Sequence, residues 1–147
     1  MVVKLHSLPP PITLALSKIK ALIKNCETKL EGPFDGEESI TVYADLESGI
    51  SGSMSSALLP EKIAPVIENY LNGNKEKAEE IYNHIIPLIN FENRQCGFRA
   101  TKTAMQEGGV IKSDYCRHPI KPLDPITREL LIKFANKYEL LSYNWGK

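Results

Sequence analysis

The apolar pattern of this chain changes character once, near residue 60, and that change limits the fold more than any other feature. Before it, short apolar runs alternate with helical spacings; after it, only helical spacings follow. Val2-Val3-Lys4-Leu5 is an apolar run broken by one lysine and reads as a strand or the end of one. Pro9-Pro10-Pro11 then forces an extended connection. Ile12, Leu16, Ile19, Ile23 and Cys26 recur at alternating intervals of four and three, one face of an amphipathic helix with Lys18, Lys20 and Lys24 off it. Thr28-Lys29-Leu30-Glu31 is a brief strand candidate ending at Gly32-Pro33.

Gly36 precedes a second helical pattern, Ile40, Tyr43, Leu46 and Glu47, closed by Ser48-Gly49. Ile50-Ser51-Gly52-Ser53-Met54 then reads as a strand of small residues, with glycine where a neighbour must pass closely. The order strand, helix, strand, helix, strand predicts parallel strands joined by right-handed crossovers.

Beyond residue 60 the reading is all helical. Pro60 suits a first turn, and Ile63, Ile67, Tyr70 and Leu71 carry an apolar face to Gly73, with Pro65 expected to kink the helix or shift its start. Asn74 is expected to cap the next helix, whose face is Ala78, Ile81, Tyr82, Ile85, Leu88 and Ile89, with Pro87 disturbing its last turn. Phe98, Thr101 and Met105 mark another helix, ending at Gly108-Gly109. Residues 110–124 read as an ordered loop. Asp124 then caps Pro125, and Leu130, Leu131, Phe134 and Tyr138 form the last face. The chain is thus α/β in front and all-α behind.

Composition excludes several classes of function. Eighteen basic side chains balance eighteen acidic ones, so the basic excess that marks a nucleic-acid binder is missing. No run approaches the ~20 apolar residues that span a bilayer, and residues 1–8 run at once into prolines, unlike a secretory leader. Cys26, Cys96 and Cys116 have no framework spacing and read as reduced, buried thiols of a cytoplasmic protein.

Few residues stand out chemically. Lys4 lies at the end of a strand and before a loop, where parallel α/β proteins carry their chemistry. A partly desolvated lysine there has the chemistry to attack a ketone and form a Schiff base; the plain alternative is an exposed strand lysine. Glu37 and Glu38, in the Gly-bounded loop 32–38, read first as carboxylates favouring a helix start and second as substrate contacts. The Gly49 to Ser56 turn lacks the spacing and lysine of a phosphate cradle. His6, His84 and His118 share no spacing, and Cys116-Arg117-His118 lacks the partners of a zinc site, so no metal and no cofactor is expected. The polar run Asn93 to Arg99 reads as a hydrogen-bonded helix start, or as an anion contact through Arg94 or Arg99.

These pieces together carry a resemblance. Val3-Lys4-Leu5, Gly32-Pro33-Phe34-Asp35-Gly36-Glu37-Glu38 and Ser48-Gly49-Ile50-Ser51-Gly52-Ser53-Met54-Ser55 resemble the C-terminal half of the dihydrodipicolinate synthase/N-acetylneuraminate lyase family. Asn93-Arg94-Gln95-Cys96-Gly97-Phe98-Arg99, Glu107-Gly108-Gly109-Val110-Ile111 and Arg117-His118-Pro119 are most similar to its sugar-acid branch, which includes the 2-keto-3-deoxyarabonate dehydratases.

The resemblance implies a partial (β/α)₈ TIM barrel, about strands six to eight with their helices in residues 1–72, followed by a helical extension in residues 73–147. It implies that Lys4 is the Schiff-base lysine, that residues 28–31 and 50–54 are the seventh and eighth strands, and that Gly32 and Met54 border the substrate. The implied substrate is a 2-keto acid, without nucleic-acid or membrane partners, in a family of homo-oligomers. A whole barrel runs to ~250 residues. The resemblance therefore implies that about five βα units, with the family's carboxylate-binding hydroxyl pair and its tyrosine, lie outside this chain. The chain alone is then expected to be inactive, with a complementing N-terminal half as a possible partner. Dehydration is the expected reaction; aldol cleavage, dihydrodipicolinate synthesis and a non-catalytic remnant or partner-binding module stay open as alternatives.

Overall fold

The computed structural model describes residues 15–26 and 32–147. Lys4 and the strands expected at residues 2–5 and 28–31 lie outside the described residues.

Helix α1 spans Ala15–Cys26, inside the stretch that the four-three spacing predicts. Strand β1 is Phe34–Asp35, α2 is Val42–Glu47 and β2 is Gly52–Ser53. β1 thus falls in the segment read as an acidic loop. The two strands pair in parallel, Phe34 opposite Gly52 and Asp35 opposite Ser53. With α2 between them they form one βαβ unit, the alternation the sequence predicts. A Cβ on Gly52 would stand 3.0 Å from the Phe34 ring, which would have to shift to admit it. Gly49 closes α2 at φ 98°, a conformation that favours glycine.

Six further helical segments follow. α3 is Pro60–Leu71 and α4 is Lys75–Phe91. A π-helical turn occupies Glu92–Cys96. α5 is Arg99–Glu107, α6 is Pro125–Lys137 and α7 is Leu141–Asn144. Residues 110–124 form the expected connection without regular structure. α3 and α4 both run through their internal prolines, Pro65 and Pro87, rather than ending there. Asn74 sits at the N-cap of α4 without a side-chain bond, whereas Asp124 caps α6 by accepting from the N–H groups of Ile126 and Thr127 at 3.1 and 3.0 Å.

Several expected faces are shifted. In α3 the buried residues are Ile63 and Val66, and Leu71 is exposed. In α5 they are Arg99, Ala100, Thr103 and Ala104, while Phe98, one residue before the helix, is 72% exposed. Ranking positions by side-chain size misplaces this face: two alanines four apart let the helix backbone approach its neighbours closely, which a large side chain would prevent. At the end of α5, a Cβ on Gly108 would collide with the backbone of Ser142 and Tyr143.

One buried cluster runs through the molecule, from Val42 and Leu46 through Leu58, Ile63 and Val66 to Ile85, Leu88, Leu131 and Leu140. It has members on both sides of residue 72, so the packing of the described residues does not break there. Aromatic contacts tie α4 to α6: the rings of Phe91 and Phe134 lie 5.0 Å apart, and Tyr138 donates to the carbonyl of His84.

Candidate functional site

Parallel α/β proteins place their chemistry beyond the carboxyl ends of the strands. Here β1 ends in Asp35, which is 5% exposed and turns its carboxylate back on its own chain. Oδ1 accepts from the N–H of Glu37 at 3.0 Å; Oδ2 accepts from the N–H of Ser39 and the hydroxyl of Ser53, both at 2.9 Å. The Ser39 and Ser53 hydroxyls are 2.7 Å apart. An aspartate that satisfies the amides just after it is the mechanism of a side-chain-locked turn. Glu38 and Ser39 take φ of 54° and 68° in that turn. The turn is why Glu37 and Glu38 are not the helix-start carboxylates that the sequence suggests: α2 begins only at Val42, and Glu38 instead lines a cavity.

The opposite wall comes from the all-helical half. Glu92 opens the π-helical turn and is 4% exposed. Ser56, three residues after β2, donates its hydroxyl to Glu92 Oε1, and the same hydroxyl accepts from the N–H of Leu58. Glu92 Oε2 is buried and has no partner among the described residues; Glu38 Oε2 is in the same condition. Burial is the main force pushing the Glu92 carboxyl up to about 7; the charge of Glu38 adds to it and the Ser56 hydrogen bond opposes it.

Between these walls lies a cavity of about 340 Å³. Glu38, Ser56, Glu92, Asn93, Thr101 and Lys102 supply its polar lining, and Ala57 and Phe98 its apolar lining. The Lys102 ammonium is held by the carbonyl of Tyr115 from the 110–124 loop. Two carboxyls, two hydroxyls, an amide and an ammonium belong to residues around this space, but most of the surface they and their neighbours expose to it is carbon, and its volume is that of a small-molecule site.

The sequence candidates fare unevenly. Met54 directly follows β2, is 65% exposed, and donates its N–H to the carbonyl of Asp35 at 2.7 Å. Gly32 stands before β1, at its amino end, with φ 109°. Arg99 is not available to an anion: it is 4% exposed and donates to the carbonyls of Asp114 and Ile120 at 3.1 and 3.3 Å, pinning the 110–124 loop. Arg94 is exposed. Cys96 and Cys116 are buried as expected, and Cys26 is half-buried. Among the described residues no three His, Cys, Asp or Glu side chains gather as metal ligands, and no helix is long and apolar enough to cross a membrane.

Glu92 and Ser56 were not foreseen, although the sequence holds a signal for the first. Ile85, Leu88 and Ile89 define the buried stripe of α4, and Glu92 falls on its continuation towards Cys96. A carboxyl on an apolar stripe is a residue that requires a reason.

The model of the dihydrodipicolinate synthetase family matches residues 14–137. L-2-keto-3-deoxyarabonate dehydratase from Azospirillum brasilense is 41% identical over 132 residues, which is 90% of this chain and 43% of that protein. Dihydrodipicolinate synthase from Aquifex aeolicus superposes with a TM-score of 0.75 at 20% identity, over 87% of this chain and 43% of that one. The Rhodopseudomonas palustris synthase gives 0.72 at 21% identity, over 83% and 42%. The chain therefore spans less than half the length of the relatives it matches, and at these identities the two synthase structures bear on the fold alone. The family match covers most of the chain, and together with the parallel βαβ unit and the helices behind it the conclusion is that the chain belongs to the dihydrodipicolinate synthetase family.

Proposed function

We propose that this chain carries the last three strands and the C-terminal helices of a (β/α)₈ barrel that dehydrates a 2-keto-3-deoxy sugar acid through a Schiff base. Residues 1–72 are the barrel part and residues 73–147 the helical extension, built on one shared core. The observation that carries the reading is the cavity beyond the carboxyl ends of two parallel strands, bordered by Glu38, Ser56 and Glu92, in a chain whose residues 14–137 match the family. The activity named for the Azospirillum relative supports the choice of reaction.

In this reading the Lys4 amine adds to the C2 ketone and water leaves, giving an imine. The imine accepts the electron pair released when a proton is removed from C3, and that pair then expels the C4 hydroxyl, which leaves as water after taking up a proton. Hydrolysis of the imine returns the amine. Met54, one residue past β2, and Gly32, which follows the strand expected at residues 28–31, border the keto acid. The hydroxyls that bind the substrate carboxylate, and the tyrosine that moves protons, come from residues that precede these in the relatives, in a longer chain or a second polypeptide. The assembled enzyme is a homo-oligomer acting in the cytoplasm.

Borohydride reduction in the presence of pyruvate tests the reading. A stable mass increase mapped to Lys4 supports it. The absence of any adduct, even with a polypeptide supplying the earlier βα units, refutes it.

A further inference from the structure

Glu92 is brought to the cavity by a helix of the C-terminal extension and not by a barrel strand. The Ser56 hydroxyl fixes one of its oxygens, and the other is buried without a partner. A buried oxygen in that condition is rare and costly unless something binds it. Lys102 and Glu38 bring one charge of each sign to the same cavity, and a hydroxyl, which both donates and accepts, pairs with a carboxyl in either protonation state. The carbon face of a sugar chain suits Ala57 and Phe98.

Resting on the proposed function above, we infer that Glu92 is a specificity-determining residue, its free oxygen binding a hydroxyl on the distal end of a polyhydroxylated 2-keto acid. With Ser56 as intermediary, the helical extension thereby reads the tail of a molecule whose head reacts in the barrel. Burial supports this role: it keeps both the acid and the carboxylate populated near neutrality, so the group donates as well as accepts.

The test uses the 147-residue chain labelled with ¹³C at its glutamate carboxyls, with the Glu92 signal assigned by its loss in E92Q. Three probes are titrated: pyruvate has the keto acid and no hydroxyl tail, arabinonate has the hydroxyls and no ketone, and 2-keto-3-deoxyarabonate has both. The Glu92 signal is expected to move with the second and third and not with the first. E92Q is expected to lower affinity for 2-keto-3-deoxyarabonate relative to pyruvate about tenfold, the effect of one lost hydrogen bond to a buried carboxyl. A Glu92 signal that ignores all three probes, or moves equally with pyruvate, overturns the inference. Should E92Q fail to fold, Ser56→Ala, which frees the oxygen that Ser56 holds, carries the affinity comparison. The two proposals fail separately: trapped pyruvate with a silent Glu92 removes this inference alone, and an arabinonate-responsive Glu92 without trapped pyruvate removes the imine alone.

Discussion

Glu92→Gln should abolish a pH dependence that the buried carboxyl imposes on stability. Burial, aided by Glu38 and opposed by Ser56, raises the folded-state value from the ordinary 4.5 to about 7. Below pH 4.5 both folded and unfolded chains hold the proton, and burial of the neutral acid is tolerated. As pH rises the unfolded chain releases its proton first, so stability falls by about 1.36 kcal/mol per pH unit until the folded carboxyl also ionises. Over the interval from 4.5 to about 7 the loss reaches about 3 kcal/mol, then levels off. Glutamine keeps the shape and cannot ionise. Urea unfolding of both proteins, followed by circular dichroism from about pH 4.5 to about pH 8.5, gives a difference in which titrating groups that do not interact with Glu92 cancel. The variant should gain about 3 kcal/mol on the parent across that range. Parallel stability profiles would refute the buried-acid reasoning.

Asp35→Ala strips three donors of their acceptor, the N–H groups of Glu37 and Ser39 and the Ser53 hydroxyl, and should cost about 2–4 kcal/mol in urea unfolding; a change under a tenth of that would remove the locked turn from the account. Arg99→Ala should release residues 110–122, seen as faster amide hydrogen exchange there than in α4, because the guanidinium holds the Asp114 and Ile120 carbonyls. Equal protection in parent and variant would contradict this. The Cys96 thiol, pushed up to about 12 mainly by burial and further by Glu92, should resist iodoacetamide at neutral pH until the chain unfolds. Labelling of Cys96 as fast as the half-buried Cys26 would count against it.

Elements with a strong local signal were legible. The four-three spacing through Cys26, the closing glycine Gly49, the helix start at Pro60 and the Asp124 cap all come from chemistry within a few residues. Signals that needed a partner were misread. Phe98 is the largest apolar residue near α5 and yet is exposed, while Ala100 and Ala104 make the contact. The strand at Phe34–Asp35 is two residues long, too short for any periodicity to reveal, and exists because Gly52 and Ser53 pair with it.

The helices, and the alternation of helix with extended chain before residue 60, were set by the sequence, since local hydrophobic period and turn residues act over short distances. The cavity was decided by tertiary structure. Glu38 and Glu92 are remote in the chain, and only the locked turn after β1 and the π-helical turn after α4 bring them to one space. Whether a glutamate is a solvated charge or a buried acid depends on what surrounds it, and those neighbours come from distant parts of the chain.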